Sequence, residues 1–129
     1  MKYPKVDLHK KKSDALVIHC ADPRFQEAYR SVIGKHDIYF DLIVAPGASL
    51  AVVDDPRVIK NIELLHSLHK FDRVHIMDHI ECGAFGKVKD ELHEHSKMLT
   101  KAAAKINRAM PKMRVITHLL GEKSELTLE

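Results

Sequence analysis

The stretch 15–25, Ala-Leu-Val-Ile-His-Cys-Ala-Asp-Pro-Arg-Phe, places a short apolar run directly before a helix-start signal. An apolar run of this length, residues 15–20, is typical of a strand that is buried on both faces of a parallel sheet. Asp22 offers a side-chain oxygen for a helix N-cap, and Pro23 follows at a position where its missing N–H is not needed. The stretch therefore predicts a strand that passes directly into a helix.

The rest of the chain repeats this alternation. Apolar runs predict further strands over 39–45, 73–77 and 113–119, and a short edge strand over 125–128. Helical periodicity and end signals predict helices over 23–34, 56–69 and 88–110, with another helical region before a break at 54–56. We therefore expect a three-layer α/β fold: a central, mainly parallel sheet of four to five strands in the order 2-1-3-4, flanked by helices. An N-terminal tail over 1–14 and a single domain over 15–129 complete the prediction.

Composition excludes several classes of protein. The 129 residues suit one domain, and 45% hydrophobic with 30% charged residues is typical of a soluble globular protein. No apolar run approaches the roughly 20 residues of a membrane span, and the charged N-terminus lacks the apolar segment of a signal peptide. A net charge of +3 with 5% aromatic residues is too weak a signal for nucleic-acid binding. Two cysteines without secretory context predict a cytoplasmic protein whose thiols bind metal or react.

Both cysteines follow predicted strands. Cys20 ends the first strand, and His79 and Cys82 come just after the third. In the order 2-1-3-4 these two strands are neighbours, and a crevice opens at their carboxyl ends where the crossovers diverge. Two thiolates and one imidazole form the ligand set of a zinc site that keeps one open position. The spacing therefore predicts a zinc site at Cys20, His79 and Cys82.

At these residues the chain resembles a small, divergent β-class carbonic anhydrase. That family carries Cys-x-Asp-x-Arg after its first core strand and His-x-x-Cys-Gly after a later one, which here are residues 20–24 and 79–83. The resemblance extends over residues 15–128. It implies one zinc ion per chain on Cys20, His79 and Cys82, and reversible hydration of CO₂ to bicarbonate by a zinc-bound hydroxide. It also implies a catalytic dyad of Asp22 and Arg24, and a homodimer or a larger assembly of dimers.

The residue types suit this chemistry. Zinc lowers the pKa of its bound water to about 7, and Asp22 is placed to orient that water. Arg24 would keep Asp22 ionised, because a neighbouring cation lowers the pKa of a carboxylate. Two alternatives stay open here: Asp22 binds the zinc itself in a closed resting state, or Asp22 is only an N-cap with Arg24 a surface cation of the first helical turn.

Residues around the predicted site depart from the family pattern. Residues 44–48 read Val-Ala-Pro-Gly-Ala where the family often has Arg-Asn-Ala-Gly-Asn, and the sole glutamine, Gln26, follows Cys20 instead of preceding it. Asp78 stands where glycine is frequent; it adds negative charge, orients His79, or caps the following turn. Two other functions therefore stay open. One is a zinc-binding protein with weak or no catalysis, and the other is a zinc hydrolase of a CO₂ analogue such as carbonyl sulfide or carbon disulfide.

The nine other histidines carry no clear signal for a proton shuttle. His93 and His95 lie in a charged stretch that we expect to be exposed. A second metal site formed by these two residues is an alternative.

Overall fold

A five-stranded sheet in the order β2-β1-β3-β4-β5 forms the centre of the computed structural model, which describes residues 2–128. Strands β1 to β4 are parallel, and β5 pairs antiparallel with β4. The predicted fold class and strand order are confirmed. Met1 and Glu129, at the ends of the predicted tail and domain, lie outside the described residues. The strands are β1 (Ala15–His19), β2 (Phe40–Val44), β3 (Arg73–His79), β4 (Arg114–Leu120) and β5 (Glu125–Leu126).

Four α-helices are found within residues 2–128: α1 (Gln26–His36), α2 (Ser49–Asp54), α3 (Pro56–His69) and α4 (Glu91–Ala109). The predicted first helix begins as a 3₁₀ turn, Pro23–Phe25, and a second 3₁₀ turn covers Gly83–Phe85. Aspartates cap three of these elements: the carboxylates of Asp22, Asp55 and Asp90 each accept a hydrogen bond from a backbone N–H in the first turn. Among the described helices, none combines the length and apolar character that crossing a membrane requires.

The two faces of the sheet are covered by different helices. One face packs against α2, α3 and α4, and its core contains Leu16, Ile18, Val74 and Ile76 with Val52, Ile62, Leu99, Ala102 and Ile106. The other face packs against α1, and its core contains Val17, Met77 and Leu120 with Tyr29, Val32 and Ile33. Successive side chains of a strand point to opposite faces, so neighbouring buried residues of a strand belong to different layers.

Strand β3 runs two residues further than the sequence predicted. It pairs with β4 as far as Asp78 opposite Leu119 and His79 opposite Leu120. Because Asp78 and His79 are both strand residues, their side chains leave the sheet on opposite faces. This separation decides what each of them contacts.

Candidate metal centre

The structure brings Cys20, His79 and Cys82 together at one edge of the sheet. Cys20 directly follows β1, and His79 is the last residue of the neighbouring parallel strand β3. Each of the three side chains is buried and offers one ligand atom, and these atoms lie within 4.8 Å of one another. The cluster forms because the carboxyl ends of neighbouring parallel strands lie at the same end of the sheet, as we predicted from the sequence.

His79 presents a free nitrogen to this cluster. Its Nδ1 lies 2.6 Å from the carbonyl oxygen of Ile80, which can only accept, so Nδ1 carries the proton. The other nitrogen, Nε2, is therefore an acceptor, and it is buried without a hydrogen-bond partner among the described residues. The ring of Phe25 stacks on the imidazole, with 4.3 Å between ring centroids. A fixed tautomer with an unpartnered buried lone pair is what a metal ligand requires.

A tight turn after β3 brings Cys82 close to His79. Glu81, between them, has a φ of 53°, in the left-handed region that ordinary residues rarely adopt. Burial raises the pKa of the Cys82 thiol to about 11, although the backbone N–H of Ala84 acts in the opposite direction. Because a metal binds the thiolate, a cation at this place would supply the positive charge that lets the sulfur ionise. The donor set therefore fits zinc chemically.

The loop after β2 contacts the other cysteine. The backbone N–H of Gly47 points at Cys20 Sγ, with 3.5 Å between nitrogen and sulfur. Gly47 has a φ of 82°, and a Cβ at this position would lie 3.1 Å from Cβ of both Ala84 and Leu50. Glycine is therefore required for the close approach of this loop to the site.

Asp22 is held beside the cluster by Arg24. The guanidinium binds the carboxylate in a bidentate manner, with 2.8 Å from Nη2 to Oδ2 and 3.1 Å from Nε to Oδ1. These hydrogen bonds, followed by the one from the Arg24 backbone N–H, lower the pKa of Asp22 to about 2. Asp22 Oδ2 lies 3.8 Å from His79 Nε2, and Arg24 Nη2 also donates to the carbonyl of Glu81 at 3.0 Å. Arg24 thus connects the two segments that carry the candidate ligands.

The same tripeptide, Asp-Pro-Arg, occurs a second time at residues 55–57 with the same local contacts. Arg57 Nη2 lies 2.9 Å from Asp55 Oδ2, and the Arg57 backbone N–H donates to Oδ1 at 3.0 Å. Because this second copy only caps α3, the Asp–Arg pairing is a property of the tripeptide. Asp22 differs from Asp55 in its position beside His79, so it is both an N-cap and a neighbour of the cluster.

Within residues 2–128, Asp78 neither orients His79 nor caps the turn that follows β3. Its carboxylate accepts hydrogen bonds from the backbone N–H of Ser49 at 3.0 Å, from Ser49 Oγ at 2.6 Å and from His95 Nδ1 at 2.8 Å. His79 is oriented by the carbonyl of Ile80 instead. Asp78 therefore joins β3 to α2 and α4 on the face opposite to the cluster.

The expectation that His95 is exposed was wrong. His95 is fully buried between Asp78 and the ring of Phe85, whose centroid lies 4.1 Å from that of the imidazole. His93, two residues away on α4, is exposed, and within residues 2–128 neither histidine belongs to a group of possible metal ligands. The pattern contained a signal for this burial, because His95 stands four residues before buried Leu99 on the apolar stripe of α4.

Gln26 has a role that the sequence analysis missed. Its Nε2 donates to the carbonyl of Asp22 at 2.7 Å and to that of Cys20 at 3.2 Å. The direction is the reverse of a capping box, in which the side-chain oxygen accepts from a backbone N–H. Gln26 therefore fixes the segment that carries both Cys20 and Asp22.

Residues 10–128 match the protein-family model described as "Putative carbonic anhydrase". This chain belongs to that carbonic anhydrase family. An uncharacterized protein of Rickettsia bellii is 31% identical over 127 residues, covering 84% of this chain and 77% of the relative. An uncharacterized protein of Rickettsia conorii is 30% identical over 127 residues, with 84% and 68% of the two chains covered.

Solved carbonic anhydrase structures share the fold of this family member. A β-carbonic anhydrase of Trichomonas vaginalis superposes with a TM-score of 0.71 at 12% identity, covering 98% of this chain and 86% of that one. A carbonic anhydrase of Streptococcus mutans gives a TM-score of 0.72 at 11% identity, with 98% and 88% covered. The chain therefore has the β-carbonic anhydrase fold.

Proposed function

We propose that this chain is a zinc-dependent carbonic anhydrase that converts CO₂ to bicarbonate reversibly, with one zinc ion held by Cys20, His79 and Cys82. The observation that carries the proposal is the buried Nε2 of His79. It has no hydrogen-bond partner among residues 2–128, shares a cluster with two thiols and faces Asp22. Zinc, when bound, would lower the pKa of a coordinated water to about 7 and so make a nucleophile available near neutral pH. Family membership and fold support the same activity.

Asp22 would orient the nucleophile as a hydrogen-bond acceptor. Since Arg24 keeps the pKa of Asp22 at about 2, this carboxylate is ionised throughout the physiological range. Arg24 contacts both carboxylate oxygens. This engagement favours the open arrangement, with Asp22 on Arg24, over a closed one with Asp22 on the metal.

CO₂ would approach past Phe25 and Ile80. A cavity of about 350 Å³ opens here, and its lining combines apolar side chains, those of Phe25, Ala28 and Ile80, with the charged Arg24, Glu81 and Glu122. CO₂ is a small apolar molecule that needs few polar contacts.

A second copy of the chain would cover the outer edge of the sheet. Strand β2 is an edge strand, so its outer backbone groups are open to pairing. Phe40, Leu42 and Val44 project from one face of this strand and are 38%, 46% and 48% exposed. An exposed apolar row on an edge strand is a typical interaction surface, and Val44 leads directly into the loop that contacts Cys20. We therefore assign this edge to a homodimer.

The activity is tested by stopped-flow CO₂ hydration with zinc-loaded protein from about pH 6.5 to 9, the range in which a zinc-bound water ionises. We expect a rate above the buffer baseline that rises with pH. A rate at baseline, with one zinc bound per chain, would reject carbonic anhydrase activity. Hydrolysis of carbonyl sulfide or carbon disulfide in the same preparation would then favour the hydrolase alternative.

A further inference from the structure

A second group of side chains with metal-binding capacity lies away from the candidate metal centre. His36, His75 and His118 each offer a ring nitrogen, and these nitrogens lie within 4.8 Å of one another. His75 belongs to β3, His118 to β4, and His36 is the last residue of α1. His75 precedes His79 by four strand residues, so the two groups are separated by about 13 Å along the strand. We call His36, His75 and His118 the histidine cluster.

Glu125 fixes the tautomer of one member of this cluster. Its carboxylate accepts a hydrogen bond from His118 Nδ1, so the proton of that ring is on Nδ1. His118 Nε2 therefore has its lone pair free, and it faces His75 Nδ1 at 2.9 Å. In many metal sites a carboxylate accepts a hydrogen bond from one ring nitrogen of a histidine, and the other nitrogen binds the metal.

The second buried member of the cluster, His75, has one nitrogen directed at His118 and one without a partner. Its Nδ1 donates to His118, while its Nε2 is buried without a hydrogen-bond partner among the described residues. In the metal-free chain His118 Nε2 therefore holds the proton of His75 on Nδ1, and His75 Nε2 is the unprotonated nitrogen. Burial, followed by the proximity of His118 and His36, lowers the pKa of His75 to about 4, so the ring is neutral at physiological pH. A neutral imidazole is the form that binds a metal.

We propose that the histidine cluster binds one divalent transition-metal ion of the kind that prefers imidazole ligands, such as Zn²⁺, Co²⁺ or Ni²⁺. The cation takes the place between His75 Nδ1 and His118 Nε2, and the single proton of the neutral His75 ring moves from Nδ1 to Nε2, where no described residue accepts it. Two nitrogens 2.9 Å apart, each at the usual metal distance of about 2.0–2.1 Å, subtend roughly a right angle at the metal. His36 is exposed and supplies the third ligand from the solvent side, which leaves further positions for water.

Charge makes this site weaker than a thiolate centre. Arg73 and Arg114 are close enough to His75 to lower its pKa, and the same positive charge opposes a bound cation. Glu125 is the carboxylate that offsets it. Three neutral imidazoles also bring no negative charge of their own, in contrast to Cys20 and Cys82. We therefore expect the histidine cluster to fill after the cysteine-containing centre.

Cobalt titration of the metal-free chain, residues 1–129, tests the proposal, because the two centres differ in their spectra. A thiolate centre gives intense sulfur-to-cobalt charge-transfer absorption, whereas a histidine centre gives only weak visible bands. We expect the chain to bind a second equivalent of Co²⁺. This equivalent should add weak visible bands but no charge-transfer absorption. Absence of that second equivalent in the wild type would overturn the proposal, and absence of charge transfer would instead count against the cysteine-containing centre.

Two variants assign the second equivalent to the histidine cluster. Because His36 is exposed, His36→Ala should fold normally by circular dichroism and bind the second equivalent at least about tenfold more weakly. Glu125→Gln should weaken it by about 10–100-fold, the usual effect of removing the outer support of a ligand. His93→Ala removes another exposed histidine, one outside the cluster, and should change nothing. Wild-type affinity for the second equivalent in His36→Ala would contradict the three-histidine site.

Discussion

The carboxylate of Asp78 and the imidazole of His95 form a fully buried pair, with 2.8 Å between Oδ2 and Nδ1. Asp78 also accepts both hydrogen bonds from Ser49. It thereby joins β3 to Ser49, the first residue of α2, and to His95 in the second turn of α4. Because His79 follows it in the strand, this buried network anchors the end of β3 from the face opposite to the candidate metal centre.

Replacing Asp78 should destabilise the whole domain. Asp78→Ala leaves His95 and Ser49 buried without their acceptor, and removing one member of a buried polar pair costs about 3–5 kcal/mol. Urea denaturation measures the free energy of unfolding. The control Asp72→Ala breaks the exposed ion pair with Arg73, which should cost about 0–1 kcal/mol. Equal losses in the two variants would show that the Asp78 network does not stabilise the fold.

The recurrence of Asp-Pro-Arg provides a matched test of Asp22. Asp22→Asn should retain zinc and lose CO₂ hydration by about 100-fold or more, because a neutral amide is a poor acceptor for the proton of the nucleophile. Asp55→Asn makes the same change in the same local geometry at the start of α3. It should leave the rate unchanged. Equal rates in the two variants, or full activity in Asp22→Asn, would contradict a catalytic role for Asp22.

Removing one thiol should remove the cysteine-containing centre. Cys82→Ala leaves Cys20 and His79, and two ligands are too few for the tight four-coordinate binding of zinc in proteins. We expect the sulfur-to-cobalt charge-transfer absorption and the CO₂ hydration rate to fall to baseline. The histidine cluster should still bind its own equivalent of Co²⁺. Persistence of tight zinc binding in Cys82→Ala, measured by competition with a chelator, would show that other residues hold the metal.

The exposed row on β2 predicts a dimer that one charge can disrupt. Leu42→Glu places a carboxylate in the middle of the apolar edge, where a second copy would bury it without a partner. Light scattering after size-exclusion chromatography should change from a dimer mass to a monomer mass. Leu64→Glu alters a leucine of α3 with 56% exposure and should remain dimeric. A monomeric wild type, or dissociation of both variants alike, would reject this interface.

Asp55 predicts a small pH dependence of stability. Hydrogen bonds from the Arg57 side chain, followed by the Arg57 backbone N–H, lower the pKa of Asp55 below its ordinary value of 3.8. The unfolded chain therefore binds this proton first as the pH falls. The stabilisation by ionised Asp55 is complete above the unfolded pKa and disappears as the pH falls through the folded pKa.

Asp55→Asn isolates that effect, because the amide keeps an acceptor for the cap but does not titrate. The difference in urea midpoint between wild type and Asp55→Asn should be constant from pH 7 to about pH 5 and shrink towards pH 3. A difference that stays constant over the whole range would mean that the ionised form contributes nothing.

Most of the fold follows from local features of the sequence. The apolar run 15–20 with Asp22 and Pro23 predicts a strand and a helix start, and the structure has both. The meeting of Cys20 with His79 and Cys82 follows from one further rule, that parallel neighbours end at the same edge. These inferences need only the order of the strands.

The features that the sequence did not reveal depend on side-chain direction and distant packing. Whether Asp78 faces the metal centre depends on whether β3 ends at residue 77 or 79, and a shift of one residue along a strand reverses the face. The histidine cluster joins residues that are 39 or more positions apart on three elements, so no local pattern connects them. Both are consequences of tertiary structure.

The hydrogen bond from Gly47 to Cys20 explains how this family member can tolerate an altered loop. The donor is a main-chain N–H, so replacing the polar side chains over residues 44–48 leaves it untouched. Gly47 is constrained by its φ and by the closeness of Ala84, and the buried Ala48 also has a positive φ, of 44°. An N–H donor withdraws electron density from a ligand sulfur and so partly offsets the excess negative charge of two thiolates. The electron density on a zinc ion at this site would therefore depend in part on the backbone conformation at Gly47. That conformation can stay the same while the neighbouring side chains change.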